Sequence, residues 1–251
     1  MRPPRSGQLT VAALVMAALA GCGATGEVLA PGPAAATRVG SSTVSPVQAR
    51  GLVPQRGPFR HTGRGQFRWS VAPVTAERLG ASHRAGCPLA VADLRLVRLS
   101  HWGFDGRPRT GELVVAAAQA GAVVEVFRQL HAARFPVERI VTVEQYDADD
   151  DASMAANNTS AYNCRTTTGG SAFSEHAYGT ALDVNPAQNP YVLGTTVLPP
   201  AGRAYLDRAD VRTGMVVRDD VVVRAFRAAG WGWGGDFSSI KDYQHFSLSG
   251  R

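Results

Sequence analysis

The pattern of apolar and polar positions changes character near residue 69: upstream, neither an alternating nor a 3.6-residue period is sustained, while downstream short periodic stretches follow one another. Residues 94–99, Leu-Arg-Leu-Val-Arg-Leu, read as a strand, and Phe104-Asp105-Gly106 marks a turn before a second strand over 112–115. Val123, Phe127 and Leu130 recur at spacings of four and three, which predicts a helix that Pro136 brings to an end. Residues 138–143 read as another strand. A second helix opens at Asp219-Asp220, where carboxylates suit the helix dipole, carries Val222, Val223 and Phe226 on one face, and stops at Gly230. Residues 243–248 form the last predicted strand. This order of elements favours an α+β class, a mainly antiparallel sheet with helices packed to one side, in a single domain over residues 69–251. No internal repeat stands out.

The N-terminal part has a different meaning. Arg2 and Arg5 precede an apolar run from Leu9 to Ala20, too short to span a bilayer as a helix but of signal-peptide length. The run ends Leu19-Ala20-Gly21-Cys22, which resembles the lipobox of bacterial lipoproteins, so residues 1–22 are expected to be a lipoprotein signal whose Cys22 carries lipid and anchors the chain to a membrane. The alternative is an ordinary cleaved signal with a chance Cys. Residues 23–68, rich in Gly, Pro, Ala, Ser, Thr and Arg, read as a flexible tether with a span of roughly 35 to 40 Å. Together these predict an exported protein on the extracytoplasmic face of the membrane, facing the cell wall.

Composition narrows the class further. The chain is 45% hydrophobic, enough for a sizeable core, and its formal charge is +6. Residues 1–84 carry +8 of formal charge and residues 85–251 carry −2, so the basicity belongs to the tail. A nucleic-acid reader concentrates positive charge on its folded part, and that class is excluded. With Cys22 used for lipid, Cys87 and Cys164 are the remaining thiols, and outside the cytoplasm such a pair reads as a disulfide in preference to two free thiols. Asp147, Asp149, Asp150 and Asp151 form an acidic loop without the ligand spacing of a calcium loop, and it reads as a solvated turn.

Two segments carry candidate chemistry: residues 174–185, Ser-Glu-His-Ala-Tyr-Gly-Thr-Ala-Leu-Asp-Val-Asn, and residues 241–246, Lys-Asp-Tyr-Gln-His-Phe. A zinc ion used in hydrolysis takes three protein ligands and keeps one position open, and His176, Asp183 and His245 can supply two imidazoles and a carboxylate. Asp242 lies three residues before His245, an odd separation that places the two on opposite faces of a regular strand, so the backbone must bend for both to face one site. Given that bend, Asp242 can serve as general base. Spacing alone leaves a metal site and a chance set of structural residues both open.

The pattern Ser-x-His-x6-Asp, followed far downstream by Asp-x-x-His-Phe, resembles the zinc D-Ala-D-Ala carboxypeptidase family, which also contains L-alanyl-D-glutamate endopeptidases. The likeness runs through Asn157-Asn158-Thr159-Ser160, Asn163-Cys164-Arg165, Asn185-Pro186 and Gly230-Trp231-Gly232-Trp233. It implies one zinc ion on His176, Asp183 and His245, Asp242 as catalytic acid/base, and Arg165 as the residue holding the substrate carbonyl oxygen. Arg165 departs from better-known members, whose Arg lies farther upstream; its other reading is a partner of Glu175 or of the acidic loop. The implied activity is hydrolysis of a peptide bond in peptidoglycan stem peptides by a metal-activated water, in a monomer, as a D,D-carboxypeptidase or an L-Ala-D-Glu-type endopeptidase. The rival class is a wall-binding lipoprotein that keeps the zinc fold without catalysis. Ser174 reads first as a loop cap, and Trp231 and Trp233 read first as core.

Overall fold

A computed structural model of the protein describes residues 65–251. The signal, Cys22 and the tether as far as residue 64 lie outside the described residues. Three strands, β1 (Trp69–Pro73), β2 (Leu94–Trp102) and β3 (Pro108–Ala116), form an antiparallel sheet in that order, and a four-residue helix α1 (Ala76–Leu79) follows β1. Because successive side chains point to opposite faces, Val97, Leu99, Leu113 and Val115 enter the main core while Leu94 and Val114 enter a second cluster with Leu79, Tyr162 and Cys164. Both faces of this sheet therefore carry core side chains along β2, with Arg98 exposed and Arg95 half-buried.

The predicted first helix is α2 (Ala120–Ala132), whose Val123, Val124, Phe127 and Leu130 line the main core. Burying Phe127 contributes about 1.5–3 kcal/mol. The helix ends as Pro136 requires: Arg134 takes a positive φ of 55° and the Phe135 amide donates back to the Leu130 carbonyl. The predicted strand over 138–143 shrinks to β4 (Arg139–Ile140), paired in parallel with β5 (Asn158–Thr159), with a short helix α3 (Asp150–Ala155) between them. The reason is local. The Asn158 side chain accepts from the Val141 amide and donates to the Val141 carbonyl, taking the place of the next ladder bonds, and the chain then turns into a 3-10 helix at Val143–Tyr146.

The C-terminal half contributes β6 (Ala181–Asp183), β7 (Tyr191–Leu193), β8 (Thr196–Leu198), α4 (Val221–Ala228), β9 (Gly232–Trp233), β10 (Lys241–Asp242) and β11 (His245–Ser247). They form two small sheets, β6-β11-β9 and β10-β7-β8, all pairs antiparallel. Helix α4 begins where the sequence predicts, with Asp220 accepting from the Val223 amide at 2.8 Å, and Gly230 follows its end at φ 82°. Phe226 of α4 stacks on Phe246 of β11 at 4.0 Å between centroids, which fixes the strand that carries His245 against the core. The class is α+β as expected. Its strands are divided among several small, mostly antiparallel sheets instead of one.

Candidate active site

The two sequence segments meet at the β6–β11 pair. Asp183 closes β6 and His245 opens β11, and they are direct cross-strand partners. His176 arrives from a 3-10 turn, Glu175–Tyr178, whose N-cap is Ser174: its hydroxyl accepts from the His176 amide at 3.3 Å, the capping role expected of it. The turn is held on the first sheet by Gly179, at φ 62°, whose carbonyl accepts from the Ala116 amide at 3.0 Å. A Cβ at Gly179 would sit 2.5 Å from that amide nitrogen, so the close approach requires glycine.

His176, Asp183 and His245 are all buried, and one donor atom from each lies within 4.8 Å of the others. His176 Nε2 is 3.2 Å from Asp183 Oδ2, and His245 Nδ1 is 3.1 Å from Asp183 Oδ1. The other nitrogen of His176, Nδ1, donates to the Ala161 carbonyl at 2.5 Å, which leaves Nε2 as the lone-pair atom facing the site. Nε2 is buried and makes no hydrogen bond. Burial works against a charge on Asp183, but the adjacent His176 ring and His245, which hydrogen-bonds to it, hold its carboxyl well below the usual range. Burial likewise opposes a charge on His245, and Asp183 more than offsets it. Two imidazole nitrogens and an ionised carboxylate form a donor set suited to zinc, and the unbonded Nε2 fits that use.

Asp242 ends β10, whose partner is β7, whereas His245 starts β11 on the neighbouring sheet. The chain crosses between sheets over the two intervening residues, so Asp242 and His245 face one cleft despite their odd spacing. Asp242 Oδ1 is buried without a hydrogen bond, and burial, reinforced by the nearby Asp183 and opposed by His245, pushes the carboxyl up to about 7. The cleft has a volume of about 210 Å³, and Tyr191, Leu198, Phe237 and Ile240 add apolar wall to these polar groups.

Arg165 also lines the cleft. Cys164 beside it is joined to Cys87 by a disulfide, Cα–Cα 5.9 Å. Its guanidinium pairs with Asp150, Nη2 to Oδ2 at 2.8 Å, and not with Glu175. The solvated reading of the acidic segment therefore needs correction. Asp149 caps α3 by accepting from the Ala152 amide, and Asp150, in its first turn, points into the cleft with its side chain only 19% exposed. Nothing in the linear pattern separates Asp150 from its neighbours, because its burial depends on Arg165 approaching from another part of the chain. Gln244 and Met154 are further cleft residues that spacing does not single out. Trp231 and Trp233 are buried in the main core, as read first. Among the described residues no helix is long and apolar enough to cross a membrane.

A converging pair of imidazoles and a carboxylate, beside a second buried carboxylate in an apolar-walled cleft, could hold a metal ion. Residues 167–248 match the peptidase family described as D-alanyl-D-alanine carboxypeptidase, a metallopeptidase family, and this span holds His176, Asp183, Asp242 and His245. Arg165 and Asp150 precede it. No curated protein and no solved structure matches the chain.

Proposed function

We propose that the protein is a zinc metallopeptidase that hydrolyses a peptide bond in peptidoglycan stem peptides. The observation that carries this reading is the convergence of His176 Nε2, Asp183 and His245 Nδ1 next to the unbonded Asp242 carboxylate, within a span that matches a peptidase family. Zinc would be held by His176, Asp183 and His245. When bound, it supplies Lewis acidity that makes water nucleophilic at neutral pH and polarises the scissile carbonyl.

The chain's own residues do the rest. Asp242 accepts a proton from the attacking water at its carboxylate and passes it to the departing amine, which splits a difficult proton transfer into two short ones. Arg165, permanently charged and planar, donates to the carbonyl oxygen as negative charge develops on it. The apolar wall of Tyr191, Leu198, Phe237 and Ile240 suits small aliphatic substrate side chains such as alanine. Export as a lipoprotein anchored through Cys22 would bring the domain to that polymer.

The test is digestion of defined muropeptides by the purified zinc-loaded domain, with products identified by mass. Release of terminal D-Ala identifies a D,D-carboxypeptidase and release of L-Ala from D-Glu an endopeptidase. Zinc bound in one equivalent with no product from any muropeptide would overturn the catalytic reading.

A further inference from the structure

We infer that Asp150 is a positioning residue for the reaction, holding the Arg165 guanidinium in the orientation in which its remaining donors face the substrate carbonyl. The inference rests on the peptidase reading above and extends it to a residue outside the matched family span.

Three observations converge. First, the two side chains are paired at 2.8 Å and largely shielded from water, with exposures of 23% for Arg165 and 19% for Asp150. A surface ion pair contributes little, but one lining a shielded cleft restricts a long side chain effectively. Second, the guanidinium is fixed on two sides and free on a third. Nη2 goes to Asp150 and Nη1 donates to the Thr166 carbonyl at 3.1 Å, while Nε is buried with no partner. A buried, unbonded donor costs stability, and such a cost is characteristic of groups reserved for a ligand. Third, the backbone beneath Arg165 is immobilised by the disulfide at Cys164 and by the Ser174 amide donating to the Arg165 carbonyl at 3.0 Å. Only the side-chain torsions remain to be set, and Asp150 sets them.

There is also an electrostatic reason for a carboxylate at this place. Arg165 lies close enough to Asp242 and His245 to act on both, so a divalent ion on the neighbouring ligands would repel the guanidinium. The negative charge of Asp150 counters that repulsion. It lets a cation stay beside a metal centre without being displaced towards solvent.

The experiment uses the full chain carrying Asp150→Asn, Arg165→Gln, both together, and Asp151→Asn. Asp150→Asn keeps shape and removes charge, and it is expected to lower kcat roughly tenfold to a hundredfold while zinc content and KM change little. In the Arg165→Gln background the same substitution should have almost no further effect, because it acts through Arg165. Asp151→Asn removes an exposed charge from the same helix and should leave turnover unchanged. A readout independent of activity is the Arg165 Nε–H resonance of the metal-free protein, resolved in the wild type and averaged in Asp150→Asn. Equal turnover in Asp150→Asn and wild type, additive losses in the double variant, or an equal loss in Asp151→Asn would overturn the positioning role. A wild type that binds zinc and cleaves nothing overturns the peptidase reading and the catalytic use of the pair with it, while the resonance still reports whether Asp150 holds Arg165.

Discussion

Reduction of the Cys87–Cys164 disulfide should destabilise the domain substantially without dismantling the His176–Asp183–His245 cluster. The bond joins residues 77 apart in sequence, and closing a loop of that length removes about 15 cal/mol/K of entropy from the unfolded chain, or about 4.5 kcal/mol at 25 °C. The native side loses little on reduction. Cys164 is 1% exposed and sits with Leu79, Leu94, Val114 and Tyr162, where a thiol packs as a small apolar group. The assay is urea unfolding at pH 7 with and without a phosphine reductant, followed by tryptophan fluorescence, with thiol titration to verify reduction. For a slope of about 2–3 kcal/mol/M the midpoint should fall by about 1.5–2.3 M. A fall under about 0.5 M in fully reduced protein would refute the reasoning, because the segment between the cysteines would then be constrained in the unfolded chain by something other than the bond.

Asp242→Asn should lower muropeptide cleavage at least about a hundredfold with zinc retained, whereas His176→Ala should lose the metal as well, measured by mass analysis of products and by metal content. The pH dependence of stability should carry the signature of His101, whose pKa is lowered to about 4 mainly by burial, against the opposing pull of the Trp102 and Val137 carbonyls. Since the unfolded chain binds the proton more readily, this contribution is complete above about pH 6.5 and is lost as the pH falls toward 4. It amounts to about 3 kcal/mol, and His101→Gln should flatten that part of the urea-midpoint profile. Asp220→Ala removes the acceptor for the Val217 and Val223 amides and should cost about 1 kcal/mol in thermal unfolding. Gly179→Ala should cost more than Asp220→Ala, since it combines a positive φ with a Cβ 2.5 Å from the Ala116 nitrogen, and it should weaken zinc retention through His176.

Much of the fold could be read locally. Strand β2, helix α2 and helix α4 depend on short-range periodicity and on stop signals such as Pro136, Asp220 and Gly230, which act within a turn or two of the residue concerned. The metal candidates were legible for a similar reason: His176 and Asp183 lie in one short segment, and Asp242 and His245 in another. Strand β4 is shorter than its apolar pattern suggests because the Asn158 side chain replaces the ladder there, and no local pattern announces that replacement. The shielding of Asp150 within the acidic segment leaves no local trace because it depends on a partner fifteen positions away.

What the sequence by itself determined is therefore the set of chemical groups and the secondary structure that displays them, since both follow from side-chain type and from periods of two and 3.6 residues. The tertiary structure alone decided which groups share a cleft. Pairing β11 with β6 puts His245 opposite Asp183, the passage from β10 to β11 turns Asp242 toward the same point, and the approach of α3 to the disulfide-held segment at Cys164 brings Asp150 to Arg165. The first and last of these join separate segments of the chain. Their physical cause is the burial of both faces of a twisted sheet and of α4 against β11, and a linear pattern records the need for such burial without recording the partner.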